Sequence, residues 1–257
     1  MPTSRGDFVW YELMTSDPAG ATAFYTGLLG WHASDAGMPG MAYTLLHAGE
    51  RSVAGLMQLP PDARAAGAPV AWLGYVAVDD VDAAAARVVA AGGRMHHGPE
   101  DIPQVGRFAS VADPQGASFV LFKGTGEPMP PAPPGSPGLV GWHELGTSDQ
   151  AAALDFYRGL LGWGLGVSMD MGPLGTYQVF TDAAGTPIGG VMNNAEPGTH
   201  PHWLYYFQVA SIDAAVGLVR ARGGSMLTEP HQVPDGPWIC ACRDPQGGRF
   251  ALMSAAR

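Results

Sequence analysis

One eight-residue segment occurs twice in this chain of 257 residues. Residues 24–31 read FYTGLLGW and residues 156–163 read FYRGLLGW, so seven of the eight positions are identical. A second pair of similar segments stands just before them, WYELMTSD at 10–17 and WHELGTSD at 142–149. Two matches at the same offset indicate an internal duplication, which restricts the chain to folds built from repeated units.

The predicted helices extend this duplication to a fourfold repeat. Each predicted helix follows a residue that can cap its N-terminus, and a glycine stands near its end. The capping residues are Asp17, Asp80, Asp149 and Ser211. They are separated by 63, 69 and 62 residues, so the chain consists of four similar repeats with extra residues in the middle.

Strand-like segments surround each predicted helix. The segments before the helices read FVWYELMT, AWLGYVAV, GWHELGT and HWLYYFQVA, and they are rich in aromatic and aliphatic residues. About three shorter strand candidates follow each helix. In repeats two and four the last of them follows a DPQG turn, at residues 113–116 and 244–247, whose Asp, Pro and Gly favour a tight hairpin. Each repeat is therefore predicted as a strand, a helix and three strands.

The extra residues in the middle form a predicted linker. Residues 124–138, GTGEPMPPAPPGSPG, contain six prolines and show no helical or strand period. Proline cannot donate a hydrogen bond to a sheet and favours an extended chain. The sequence therefore predicts two domains, residues 1–123 and 139–257, with two repeats in each.

Charge and hydropathy exclude several classes of partner. The net charge is −10 with only 13 Lys and Arg residues, and no basic run is present. Binding to nucleic acid or to an anionic membrane surface is therefore not expected. No apolar run approaches the ~18 residues of a membrane span, and the N-terminus does not read as a secretion signal. We expect a cytoplasmic protein.

The two cysteines lie two residues apart, at Cys240 and Cys242. In a strand they would point to the same face, and this spacing is poor for a disulfide. We interpret them as small residues of the core or of a cavity wall, in preference to a redox pair or a metal site.

The paired strand–helix–three-strand repeats, the FY..LLGW helix ends and the DPQG hairpins resemble the vicinal oxygen chelate superfamily. That group includes glyoxalase I, bleomycin-resistance proteins and extradiol dioxygenases. The resemblance covers nearly the whole chain outside the linker. It implies an α+β fold of tandem βαβββ repeats that form two cupped, incomplete mixed-sheet barrels with helices outside. It also implies a ligand inside the cup, whereas the FY.GLLGW segments are expected to be structural.

The resemblance further implies where a metal would bind. Metal-dependent members place His or Glu near the start of the first strand of a repeat and in the last strand after the hairpin. The corresponding residues here carry no metal-binding atom: Trp10, Leu73, Val120, Trp142, Leu204 and Ala251. We therefore predict no metal at these positions and no other cofactor.

A shifted set of metal ligands is the alternative. Such a set would use Glu12, or Glu144 with His202 and Gln208. A further group of potential ligands, His96, His97, Glu100 and Asp101, lies in a segment with Gly and Pro that we interpret as an exposed connection.

Glu12 and Glu144 are the candidate catalytic residues. Each follows a tryptophan by two residues, so Trp and Glu share one face of a strand. Burial raises the pKa of a carboxyl towards a range that is useful for proton transfer. The alternative is a structural carboxylate that binds backbone donors or an arginine such as Arg107.

Aromatic residues and methionines are the candidate ligand contacts. A concave surface of such side chains suits a flat, partly apolar molecule, although the same side chains can also fill a barrel. The candidates are Trp10, Tyr43, Met57, Tyr75, Trp142, Tyr177, Met192, His202, Tyr206, Gln208 and Trp238, with Phe122 as a further one. We expect the Glu144 cup to be the more functional, because His202, Tyr206 and Gln208 are more polar than their counterparts in the first half.

These observations favour a protein that binds a small aromatic or partly apolar metabolite without the usual metal. Its enzymatic form would be a metal-independent lyase, isomerase or hydroxylase-type activity. One alternative is a metal-dependent lyase, isomerase or dioxygenase with a shifted ligand set. The other is a protein-interaction or regulatory module. The partner would be a small organic molecule, and a homodimer is compatible with the sequence.

Overall fold

The structure, a computed structural model, describes residues 5–38, 40–126, 130, 132–194 and 198–257. Residues 127–129 and 131 of the predicted linker lie outside the described residues. None of the helices in the described ranges is both long and apolar enough to span a membrane.

Each repeat begins with one strand and one helix and continues with further strands. Repeat one comprises β1 (Phe8–Thr15), α1 (Pro18–Leu29), β2 (His32–Asp35), β3 (Tyr43–Ala48) and β4 (Arg51–Gln58), and is followed by the short α2 (Pro61–Ala65). Repeat two comprises β5 (Ala71–Ala77), α3 (Val81–Ala90), β6 (Arg94–Ile102), β7 (Gly106–Ala112) and β8 (Ser118–Gly124). Repeat three comprises β9 (Val140–Thr147), α4 (Gln150–Leu161), β10 (Gly164–Asp170), β11 (Thr176–Thr181) and β12 (Pro187–Asn193). Repeat four comprises β13 (His202–Gln208), α5 (Ile212–Ala221), β14 (Ser225–Met226), β15 (His231–Gln232), β16 (Trp238–Arg243) and β17 (Arg249–Ser254).

The strands form two mixed sheets, and this confirms the predicted α+β class. The order in the first sheet is β2-β3-β4-β1-β5-β8-β7-β6. The order in the second is β10-β11-β12-β9-β13-β17-β16-β14, with β15 paired to β16. Within a repeat the first and last strands run parallel, as β1 and β4 do, and the hairpins are antiparallel. Neither path of described strands closes into a barrel.

All four predicted caps begin helices. The side chains of Asp17, Asp80, Asp149 and Ser211 each accept a hydrogen bond from the backbone N–H three residues later. The helices α1 and α4 end at Gly30 and Gly162, which adopt the left-handed conformation with φ of 69° and 78°. Glycine adopts this conformation without the steric penalty of a Cβ atom.

Two details of the repeats differ from the prediction. The segment that contains His96 and His97 is the edge strand β6 and not a connection. An edge strand tolerates Gly98 and Pro99 because one side of it needs no ladder bonds, and its pairing with β7 is interrupted by register shifts there. Repeat four has two short strands, β14 and β15, where one was expected, and both pair with β16.

The described chain divides into two compact units, and neither coincides with one half of the sequence. Unit A contains Trp10–Trp72, Ala132–Trp142 and Leu204–Arg257. Unit B contains the residues before Trp10, those between Trp72 and Ala132, and those from His143 to Trp203. Each sheet is formed by one half of the sequence, whereas each unit takes residues from both halves. The predicted domain boundaries therefore stay a prediction.

In unit A, a buried hydrogen-bonded trio connects the helix of repeat one with the hairpin of repeat four. The Tyr25 hydroxyl donates to Asp244 Oδ2 at 2.9 Å and accepts from Trp72 Nε1 at 2.9 Å. The other oxygen of Asp244 accepts the backbone N–H groups of Gln246, in the DPQG turn, and of Gly248, just after it. The tyrosine of FYTGLLGW thus binds the DPQG turn of the other half of the sequence.

Unit B contains the same trio with the halves exchanged. The Tyr157 hydroxyl donates to Asp113 Oδ2 at 3.0 Å and accepts from Trp203 Nε1 at 3.1 Å. Burial raises the pKa of the Asp113 and Asp244 carboxyls above their usual range, although the bonds that they accept oppose this rise.

The tryptophan that ends each repeated segment also binds the other half of the sequence. Trp31 Nε1 donates to the carbonyl of Gly138, and Trp163 Nε1 donates to the carbonyl of Gly6, both at 2.9 Å. Gly6 and Gly138 have positive φ, and a Cβ atom on either would overlap the tryptophan ring. The repeated FY.GLLGW segment therefore holds the fold together, as the sequence suggested.

Candidate functional site

The first candidate site lies in unit A and is called the Glu12 site. We define it by Trp10, Glu12, Tyr43, Gly55 and Met57. Alternation along β1 places Trp10 and Glu12 on one face. Glu12 is opposite Gly55 on β4, and Met57 is opposite Tyr43 on β3, so these side chains share that face.

Glu12 is buried, with only 3% of its surface exposed, and it accepts a hydrogen bond from a tyrosine. The Tyr43 hydroxyl donates to Glu12 Oε2 at 2.9 Å and accepts from Trp10 Nε1 at 3.1 Å. Burial, and then the neighbouring Glu12 charge, raise the pKa of Tyr43 well above its usual range. Tyr43 is therefore a permanent donor to Glu12 and cannot itself serve as a base near neutral pH.

Glycine at position 55 is what allows this arrangement. A Cβ atom at Gly55 would overlap the ring and hydroxyl of Tyr43. Gly190 in unit B has the same relation to Tyr177, since a Cβ atom there would overlap the Tyr177 ring. Sequence reasoning missed both glycines. The available signal was a glycine inside a predicted strand, two residues before Met57 and two residues before Met192. Such a glycine often marks a place where another group comes close to the backbone of the strand.

The second candidate site lies in unit B and is called the Glu144 site. We define it by Glu144, Gly146, Tyr177, Gly190 and Met192. Glu144 is opposite Gly190, and Gly146 is opposite Met192, so the β9 and β12 members share a face. Glu144 is only half-buried, unlike Glu12.

His202 lies at the end of the Glu144 site. Its ring is near Gly146, two residues after Glu144 on the same strand face, and its Nδ1 is 3.0 Å from the carbonyl oxygen of His200. A Cβ atom at Gly146 would also overlap the side-chain oxygen of Asn194. Unit B therefore brings His202 to the face that carries Glu144.

Tyr206 and Trp142 belong to an apolar cluster in unit A. Tyr206, Leu204 and Ala251 form its buried part, and Trp142 and Met253 pack against it. The Gln208 amide lies against Gly141, next to Met253. Unit A thus places three of the predicted ligand contacts around one apolar surface: Trp142, Tyr206 and Gln208.

The remaining predicted contacts have other neighbours in their own units. Tyr75 is buried and packs edge-on against Phe122, with ring centroids 5.7 Å apart. Trp238 is half-buried, and the Arg257 guanidinium lies 4.9 Å from its ring centroid. Arg107, the alternative partner for a glutamate, binds Asp82 and Asp101.

The residues between the tryptophan and the glutamate differ between the two strands. Tyr11 packs edge-on against Tyr205 in unit A, with centroids 5.3 Å apart. His143 is buried in unit B, stacks on Phe8 at 3.8 Å, and has Nδ1 2.6 Å from the carbonyl oxygen of Ile188. Burial lowers the pKa of His143 to about 4, so its ring is neutral at pH 7.

The sequence pattern of the Glyoxalase/Bleomycin resistance protein/Dioxygenase superfamily matches residues 7–121 and 139–252. These two ranges cover most of the chain and exclude the proline-rich linker. The chain belongs to this superfamily. The resemblance inferred from the FY.GLLGW and DPQG motifs is confirmed.

Named relatives of the superfamily match over almost the full chain. CFP32 of Mycobacterium bovis, which carries a provisional glyoxylase name, is 33% identical over 249 residues, 96% of this chain and 94% of that protein. The anthracycline biosynthesis protein DnrV of Streptomyces peucetius is 35% identical over 257 residues, covering 95% and 91%. The Mn(II)-bound glyoxalase of Novosphingobium aromaticivorans is similar in fold, with a TM-score of 0.61 and 17% identity over 100% of this chain and 83% of that one.

The superfamily includes metal-bound members, so the donor atoms at the expected metal positions decide whether a metal fits there. Those positions hold Trp10, Leu73, Val120, Trp142, Leu204 and Ala251, which offer no oxygen, nitrogen or sulfur ligand. The described part of the chain also contains no group of three or more His, Cys, Asp or Glu side chains that could hold an ion. A metal does not fit the superfamily positions in this chain.

Proposed function

We propose that this protein binds a small, flat, partly apolar organic molecule and that Glu12 exchanges a proton with it. The observation that carries the proposal is the buried Glu12 carboxylate, held by Tyr43 on the strand face that also carries Trp10 and Met57. Such a site combines one ionisable group with aromatic and sulfur-containing walls.

The three polar groups of the Glu12 site have different roles. Glu12 is the proton acceptor, because it is the one carboxylate of the site and a carboxylate placed beside a ligand can act as a general base. Tyr43 is a positioning residue, since it stays protonated and directs its hydroxyl to Glu12 Oε2. Trp10 positions Tyr43 in turn, through its indole N–H.

Membership of the superfamily and the names of two relatives support the type of ligand. DnrV and the similar DauV of a Streptomyces strain are named anthracycline biosynthesis proteins. An anthracycline contains a flat fused ring system, which matches walls of tryptophan, tyrosine and methionine. We therefore assign aromatic polycyclic metabolites as the ligand class, with proton transfer as the reaction and no metal at the superfamily positions.

The sequence favoured the Glu144 cup, whereas the burial of Glu12 and its bond to Tyr43 support the Glu12 site. A fluorescent anthracycline, titrated into the full chain and followed by fluorescence anisotropy, measures binding. We expect Met57→Ala to weaken binding by about 10-fold, because it removes an apolar wall. The matched Met192→Ala should leave binding unchanged.

Deuterium exchange into the bound anthracycline, followed by mass spectrometry, measures proton transfer. We expect Glu12→Gln to retain binding and lose at least 100-fold in the exchange rate, which is the usual contribution of a general base. Glu144→Gln should retain both. A loss confined to Glu144→Gln would move the function to the Glu144 site, and exchange that survives both substitutions would contradict proton transfer by either glutamate.

A further inference from the structure

Three sulfur atoms lie together in unit A, outside both glutamate sites. Cys240 and Cys242 project from β16, and their Sγ atoms are 3.9 Å apart. Met226 is the cross-strand neighbour of Cys242 on β14, and its Sδ atom is 3.9 Å from Cys242 Sγ. We call these three residues the sulfur cluster.

The sulfur cluster is enclosed and yet lies at the edge of its sheet. Cys240 and Cys242 are 1% and 0% exposed, whereas Met226 is half-buried. The strand β14 is the last in the order of the second sheet. Met226 is therefore the most exposed member of the cluster.

The spacing of the sulfur atoms suits a three-coordinate metal ion. Sulfur binds such ions at about 2.3 Å, and three sulfurs in a trigonal plane at that bond length are about 4.0 Å apart. Two of the three sulfur–sulfur separations, Cys240–Cys242 and Cys242–Met226, are 3.9 Å. Thiolate and thioether ligands select Cu(I) over harder ions. In contrast to the interpretation of the cysteines from the sequence as packing residues, we propose that Cys240, Cys242 and Met226 form a Cu(I) site.

Binding would proceed by loss of the thiol protons. The thiolate, and not the thiol, is the form of cysteine that binds a metal ion. One Cu(I) would displace two protons, and two thiolates with one thioether would leave the cluster with a net charge of minus one. The Arg220 guanidinium on α5 acts on Cys242 in favour of its thiolate form.

Repeat two provides a natural comparison for the cluster. Counting back from the DPQG aspartate, Met95 corresponds to Met226, and Ala109 and Val111 correspond to the cysteines. Met95 is opposite Val111, as Met226 is opposite Cys242. The fold thus accepts alanine and valine at these positions, and the thiols are not required for packing.

The test is a Cu(I) titration of the reduced full chain under anaerobic conditions, in competition with the chelator bathocuproine disulfonate. We expect one Cu(I) per chain. Cys240→Ala and Cys242→Val copy repeat two and should weaken Cu(I) binding at least 100-fold. Met226→Leu should weaken it about 10-fold, because one ligand of three is lost, while the matched Met95→Leu should leave it unchanged.

Equal Cu(I) uptake by the wild type and both cysteine variants would overturn the proposal. X-ray absorption of the Cu(I)-loaded wild type tests the ligand set without any variant. Three sulfur neighbours at about 2.3 Å are expected, and nitrogen or oxygen neighbours would overturn the assignment. Glu12→Gln should bind Cu(I) like the wild type, so this test is independent of the proposed function.

Discussion

The strands β1 and β9 share the pattern Trp-x-Glu, yet their glutamates have different surroundings. Glu12 is 3% exposed and accepts the Tyr43 hydroxyl, whereas Glu144 is half-buried on the face that His202 reaches. The tyrosine–aspartate–tryptophan trios of the two units, in contrast, match in residue type and nearly in distance. The duplicated fold has kept the groups that hold its repeats together, while the candidate sites have diverged.

The largest expected effect concerns the equivalence of the two trios. Asp113→Ala and Asp244→Ala should each lower the free energy of unfolding by about 3–5 kcal/mol, because each leaves several buried donors without an acceptor. Urea denaturation followed by tryptophan fluorescence measures this loss. Asp35→Ala, which removes one exposed bond to Gly37, is the control and should cost less than about 1 kcal/mol. Unequal losses of unfolding free energy in the Asp113 and Asp244 variants would show that the two trios are not equivalent.

His143 occupies on β9 the position that Tyr11 occupies on β1, and its titration should make the free energy of unfolding depend on pH. The folded pKa of His143 is about 4, below its ordinary value of 6.5, so the unfolded chain binds the proton first as the pH falls. The neutral ring therefore stabilises the fold fully above pH 6.5, and this contribution, up to about 3 kcal/mol, is lost between pH 6.5 and 4.

The non-titrating variant His143→Gln isolates this contribution. Its free energy of unfolding, compared with that of the wild type from pH 7 to 4, should show a smaller loss. The comparison also removes the opposing effect of Asp113 and Asp244, whose raised pKa values favour the folded state at acidic pH. Parallel curves for the two proteins would show that His143 is not the titrating group.

The two interior glycines should respond alike in stability and differently in binding. Gly55→Ala and Gly190→Ala would each displace a tyrosine ring and cost about 1–3 kcal/mol, the usual range for overpacking. Thermal unfolding measures this cost. Only Gly55→Ala should also weaken binding of the fluorescent anthracycline, because it displaces Tyr43 from Glu12. Weaker binding in Gly190→Ala alone would indicate the Glu144 site.

The smallest expected effect is the loss of a single hydroxyl from each trio. Tyr25→Phe and Tyr157→Phe should each cost about 1–2 kcal/mol, since the tryptophan N–H and one aspartate oxygen lose a partner but the ring still packs. Urea denaturation of the two variants should give values within about 0.5 kcal/mol of each other. A larger difference would show that the trios have diverged as the glutamate sites have.

Local sequence patterns determined the elements of this protein. The four helix caps, the terminal glycines of α1 and α4 and the DPQG turns act within a few residues, so their signals are readable without a fold. The duplicated segments and the spacing of the caps then indicated four repeats. Together with the DPQG turns, these repeats indicated the superfamily. The pairing of Trp and Glu on one strand face also followed from the two-residue period of a strand.

Only the tertiary structure decided which of these elements bind one another. Tyr25 binds Asp244, 219 residues later, and no local pattern indicates that a helix of one half binds a hairpin turn of the other. The different burial of Glu12 and Glu144, the strand conformation of β6 and the contact of Met226 with Cys242 arose in the same way. Burial, edge position and sulfur contacts are properties of assembled strands, so the same short sequence acquires different chemistry in each repeat.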